Sequence, residues 1–101
     1  MTAILIRAQV EPEHRHELMQ MCRTWLSDQL PTACLERRVY EDAISQTNLL
    51  LVENWLSTEA MYSSLSTEEF RALFGAIKVL GTLVNVCISE TTVVEGNETR
   101  A

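Results

Sequence analysis

A chain of 101 residues is long enough for one small domain and too short for two. Hydrophobic residues make up 47% and charged residues 22%, the range of an ordinary globular domain, and a net charge of -6 excludes the basic surface that nucleic acid or an anionic membrane requires. Three widely spaced cysteines, Cys22, Cys34 and Cys87, fit neither a disulfide framework nor a CxxC metal pair. No stretch approaches the ~20 apolar residues of a membrane helix, and "MTAILIRAQV" is too short an apolar run, broken by Arg7 and Gln9, for a signal peptide. The expected setting is a reducing cytoplasm with free, buried thiols.

In "AILIRAQV", Ile4, Ile6, Ala8 and Val10 fall on one face of a strand, with Leu5, Arg7 and Gln9 on the other. "EPEHRHELMQMCRTWLSDQL" reads as a helix. Pro12 suits its first turn, Glu11 and Glu13 complement the positive end of its dipole, and Pro31 is expected to end it. Leu18, Met21, Cys22, Trp25 and Leu26 form the expected buried stripe. "ACLERRVYED" is a second strand, "AISQTN" its turn and "LLLVENW" a third strand. A short helix is predicted over Thr58 to Ser64, then a longer one capped by Ser66 or Thr67, with Phe70, Leu73, Phe74, Ile77 and Leu80 inward and Gly81 at its end. "TLVNVCISETTVV" is a fourth, β-branched strand, and the polar residues 95–101 are expected to fray, leaving one domain over residues 1–94.

The order βαββαβ predicts an α+β, ferredoxin-like arrangement, an antiparallel sheet with two helices on one face. The other face is then left open. Leu5, Leu50 or Leu51, Val39 and Cys87 are expected there, mixed with Arg7, Glu53 and Asn85. A half-apolar open face calls for a partner, and a second copy related by a two-fold axis is the simplest one.

Three segments carry a family resemblance: "VEPEHRHEL", "PTACLERRVYED" and "VENWLSTEAMYSSLSTEEFRAL". In this order and spacing, over about residues 3 to 90, the chain resembles the antibiotic-biosynthesis-monooxygenase-like domains. Thr32 and Ala33 replace the glycine usual in the second segment. The resemblance implies a dimeric α+β barrel with a ligand pocket between sheet and helices. It spans cofactor-free oxygenases of quinols and polycyclic phenols, haem-degrading enzymes and proteins of unknown role, so fold alone does not fix function.

Ser64 stands where many members of that family place a histidine, and serine is no base near neutral pH without a partner. Ile6 and Phe74 occupy the positions at which haem-degrading members use asparagine and histidine, and neither side chain can ligate iron or donate a hydrogen bond. Trp55 matches the family tryptophan. It reads either as a stacking wall for an aromatic substrate or as a large core residue at a strand end. His14 and His16 point roughly 200° apart on a helix and cannot chelate one metal. His14 is solvated, capping or at the pocket mouth.

Ile6, His14, Trp55, Tyr62, Ser64 and Phe74 are thus the substrate-lining residues the resemblance suggests, with no metal, no cofactor and no assigned catalytic base. Arg7, Arg37, Arg38, Glu36 and Glu53 are expected to pair on the dimer-facing sheet surface; alternatively Arg7 holds an acidic ligand. Two functions follow. One is a cofactor-independent monooxygenase-like oxidoreductase acting on a small aromatic or quinol-type substrate. The other is a catalytically inactive small-molecule-binding or interaction dimer of the same fold.

Overall fold

The computed structural model describes residues 1–90. It contains β1 (Thr2–Val10), a 3-10 turn (Pro12–His14), α1 (Arg15–Ser27), β2 (Cys34–Glu41), β3 (Asn48–Trp55), α2 (Thr58–Ser64), α3 (Glu68–Leu80) and β4 (Gly81–Glu90). The strands form one antiparallel sheet in the order β2-β3-β1-β4, the ferredoxin-like order. The expected extension of the last strand to residue 94, and the tail beyond it, lie outside the described residues.

β1 lies in the middle of the sheet, paired with β3 on one side and β4 on the other. Ile4, Ile6, Ala8 and Val10 are buried beneath the helices, as the period of two requires. Leu49, Leu51, Glu53 and Trp55 are the buried positions of the neighbouring β3. α1 contributes Leu18, Cys22 and Trp25 to the core, and α3 contributes Phe70, Leu73 and Ile77. Each later helix starts on a hydroxyl cap. Ser57 accepts from the Ala60 N–H at 3.1 Å, and Thr67, rather than Ser66, accepts from the Phe70 N–H at 3.3 Å.

Four expectations need correction. α1 stops at Ser27, four residues before Pro31, so the proline lies in the following loop and does not terminate the helix. Met21 and Leu26 are exposed, because the stripe that reaches the sheet is narrower than the apolar periodicity. Cys87 is exposed, while Cys22 and Cys34 are buried.

The fourth correction concerns the sheet faces. Leu51 is in the core, which leaves Leu50 for the open face. Val39 pairs with Leu51 and packs on the core. Glu53 shares the parity of Leu51 and Trp55 and is buried under the helices. The open face therefore carries Leu5 between Val52 and Cys87, and Arg7 between Leu50 and Asn85. On β2 it carries Glu36 and Arg38, paired at 2.8 Å, with Asn54 donating to Glu36 at 2.6 Å. Those two contacts hold the Glu36 carboxyl below its ordinary range, Arg38 contributing most.

Candidate functional site: two cavities that share Phe70

The helical layer does not seal the sheet, and the cavities left between them among the described residues include two that share a wall. The first, about 400 Å³, is a polar chamber lined by Trp25 of α1, Arg37 and Glu53 on adjacent strands, and Ser64, Thr67 and Phe70 around the α2–α3 turn. The second, about 320 Å³, is an almost wholly apolar cleft lined by Ile4, Leu65, Phe70, Arg71, Phe74 and Val86. Phe70 lines both.

The chamber is organised by one buried carboxylate. Glu53 is 2% exposed and accepts from Arg37 Nε at 2.6 Å and from the Trp55 indole N–H at 3.2 Å. Register explains the pair, since Arg37 lies directly opposite Glu53 across β2 and β3. The same guanidinium donates to the Trp25 carbonyl at 2.9 Å and lies 5.0 Å from the Trp25 ring centroid. It thereby ties the C-terminal half of α1 to the sheet. A charge pair this deep is tolerated only when its hydrogen bonds are met, and here both partners are engaged more than once.

Cys34 lies 3.9 Å from the same carboxylate. Burial chiefly, with the Glu53 charge adding to it, pushes the Cys34 thiol up to about 11, and burial pushes Cys22 to about 11 as well. Both are therefore protonated and inert at neutral pH. The unfolded chain releases these protons near 9, the ordinary value, and the folded chain only near 11. Stability is then full below pH 9 and declines as pH rises from 9 to 11. Thermal melts across that window should fall more steeply for the native chain than for Cys22→Ala/Cys34→Ala. Parallel slopes would show that the thiols do not contribute.

The cleft is organised by α3. Phe70 and Phe74, one turn apart, pack with their rings tilted by 38° and centroids 5.0 Å apart, and the Lys78 ammonium lies 5.8 Å from the Phe74 ring. Ile4 contributes from β1, and Val86, part-exposed on the edge strand β4, completes the wall.

The structure distributes the six residues singled out from the sequence. Phe74 lines the cleft and Ser64 lines the chamber. The Ser64 hydroxyl donates to the Met61 carbonyl at 2.6 Å, a local helix-end bond. Trp55 and Ile6 are core residues, Trp55 engaged by Glu53. Neither Ile6 nor Phe74 offers iron a ligand atom, so the residues present do not fit haem at those two positions. Tyr62 is 53% exposed and lines neither cavity. His14 sits in the turn before α1, between Glu11 at 3.7 Å and Glu17 at 3.6 Å.

Among the described residues the group of Glu11, Glu13 and His14 brings three metal-ligating atoms together; the two glutamates are exposed, and none of the three lines either cavity. Arg71 and the Arg37–Glu53 pair were not assigned to a pocket from the sequence. Parity with Leu51 was the available signal for Glu53. For Arg71 it was its place within the Phe70–Phe74 turn.

The fold and its helix-side cavities define the class: a ferredoxin-like α+β domain with pockets between its sheet and its helices. Among solved structures, a candidate antibiotic biosynthesis monooxygenase of Deinococcus radiodurans superposes with a TM-score of 0.85 at 21% identity, covering 97% of this chain and 99% of that one. Rv0793 of Mycobacterium tuberculosis gives 0.81 at 18% identity, covering 94% and 98%. A Bacteroides thetaiotaomicron protein of unknown function, for which an oxidoreductase role has been suggested, gives 0.81 at 15%, covering 89% and 96%. No family model and no curated protein sequence matches the chain. The resemblance seen in the sequence thus holds at the level of the fold. Among the described residues no helix is long and apolar enough to cross a membrane.

Proposed function

We propose that this chain is an oxidoreductase of the antibiotic-biosynthesis-monooxygenase type, oxygenating a small aromatic or quinol-type substrate without metal or flavin. The observation that carries the reading is the apolar cleft of about 320 Å³ walled by Phe70 and Phe74. Its volume falls within the roughly 300–1,000 Å³ of small-molecule sites. The names borne by structures of the same fold support the reaction class. In such chemistry an anthrone-type carbanion or a phenolate reacts with dioxygen itself. A methylene gives up two hydrogens, one oxygen atom becomes the carbonyl and the other leaves as water. The protein then needs to orient the ring and keep water away, which aromatic walls do. A second copy on the open face, across Leu5, Leu50 and Val52, completes the proposed dimer.

The test is oxygen uptake by electrode with anthrones, dihydroxynaphthalenes and quinols, on protein whose dimeric state is checked by sedimentation. Filling the cleft with Val86→Trp is expected to reduce uptake at least tenfold, with Tyr62→Phe and Ser64→Ala near wild type. The reverse pattern would move the site to the polar chamber. One observation favours the second reading, a binding dimer without activity: Arg71 is the titratable side chain of the cleft wall, and it is no general base. Absence of uptake from a folded dimer with every substrate would establish that reading instead.

A further inference from the structure

The chain is acidic, with a net charge of -6, yet the charges beside the apolar cleft are cations. Arg71 lines the cleft, and Lys78 lies over the outer aromatic of its wall, 5.8 Å from the Phe74 ring. Among the described residues no carboxylate lines the cleft. The ion pairs among the described residues engage Arg15, Arg37, Arg38 and His14, and neither Arg71 nor Lys78 takes part in one. Glu68, one turn before Arg71, forms no ion pair with it, and Glu90 on β4 is engaged by the Thr58 hydroxyl at 2.9 Å. An apolar slot flanked by two cations that form no ion pair among the described residues is complementary to a flat aromatic anion: the ring enters the slot, and its oxyanion takes the guanidinium.

We infer that the cleft takes its aromatic ligand as the anion, a phenolate or enolate, and that Arg71, assisted by Lys78, selects for that charge. The inference rests on the cleft being the substrate site, and it accounts for Ser64 where a histidine is usual. A phenol acidic enough to bind ionised has already given its proton to solvent, so no base is required at the cleft. Selection is by charge and ring shape together, because the remaining wall is hydrocarbon and offers a neutral ligand no orienting hydrogen bond.

Two dyes of nearly the same ring system separate charge from apolarity: anionic anilinonaphthalenesulfonate and neutral phenylnaphthylamine, each titrated by fluorescence against the intact protein. The anionic dye is expected to bind at least about tenfold tighter, a margin that shrinks in high salt. Arg71→Gln should weaken the anionic dye about tenfold and leave the neutral dye unchanged, with Lys78→Gln acting in the same direction. Arg23→Gln, which removes an exposed arginine of α1 that forms no ion pair among the described residues, should change neither. Equal binding of both dyes, or an anionic affinity indifferent to Arg71, overturns charge selection and leaves the cleft as a plain apolar site. An anionic dye that does not bind at all, or whose binding Val86→Trp leaves unchanged, overturns both this inference and the cleft as the substrate site. Oxygen uptake plays no part in this readout, so an inactive protein still answers it.

Discussion

Glu53→Ala is expected to destabilise the domain by roughly 3–5 kcal/mol, the cost of leaving a buried charge without its partner. Three losses coincide. The Arg37 side chain, 10% exposed, keeps its charge without the carboxylate that balances it. The Trp55 indole N–H, buried at the end of β3, loses its acceptor. The tether from β2 to the Trp25 carbonyl loses the carboxylate that positions the guanidinium. Small domains are stable by about 5–15 kcal/mol in all, so this one change removes a large share. At about 4–8 °C per kcal/mol for a domain of this size, the midpoint should drop by about 12–40 °C.

Urea unfolding followed by circular dichroism would measure it. Glu53→Gln, which keeps an acceptor for the indole but removes the charge, should fall between the two. Arg37→Met/Glu53→Leu should recover much of the loss, since replacing a buried pair by apolar groups is often close to neutral. If Glu53→Ala unfolds within 1 kcal/mol of the native chain, roughly the surface ion-pair scale, the pair does not hold the chamber together.

Gly81→Ala should cost about 3 kcal/mol, for a reason that has nothing to do with torsion. Gly81 has φ of -164°, extended backbone open to any residue. The obstacle is space. A Cβ there would lie 2.0 Å from the Gln9 carbonyl oxygen and 2.8 Å from the Val10 Cα, both backbone atoms of β1. Gly81 pairs with Val10 where α3 turns directly into β4, so relief would mean lifting the start of the edge strand off the sheet. Gly75, mid-helix in α3 with nothing within 4 Å of its Cβ position, is the control. Gly75→Ala should gain about 0.5–1 kcal/mol from helix propensity alone. Melting temperatures of the two variants should therefore move in opposite directions. A shared sign would show that β1 yields more readily than its backbone contacts imply.

Much of this architecture is written locally. The parity of Ile4, Ile6, Ala8 and Val10 dictates which face of β1 goes inward, because a period of two admits no other assignment once one face must be buried. Thr58–Ser64 is legible as a short helix, and α3 from its hydroxyl cap at Ser66 or Thr67 and the stripe of Phe70, Leu73 and Ile77. These signals act within one element, and the physics that produces them is complete within a few residues.

Tertiary structure decided the rest. Met21 and Leu26 satisfy the α1 periodicity and are nevertheless exposed, because burial depends on what packs opposite, and α1 meets the sheet along a narrower stripe. Glu53 reads as a surface residue by its charge and as a core residue by its parity. Parity prevails because the β2–β3 register brings Arg37 directly opposite, which no local pattern specifies. Gly81 looks like a helix cap, but its necessity comes from the backbone of Gln9 and Val10, some seventy residues earlier. The two cavities are assembled from segments that meet only in the fold. Phe70 sits at their shared wall, so no single stretch of sequence describes either one.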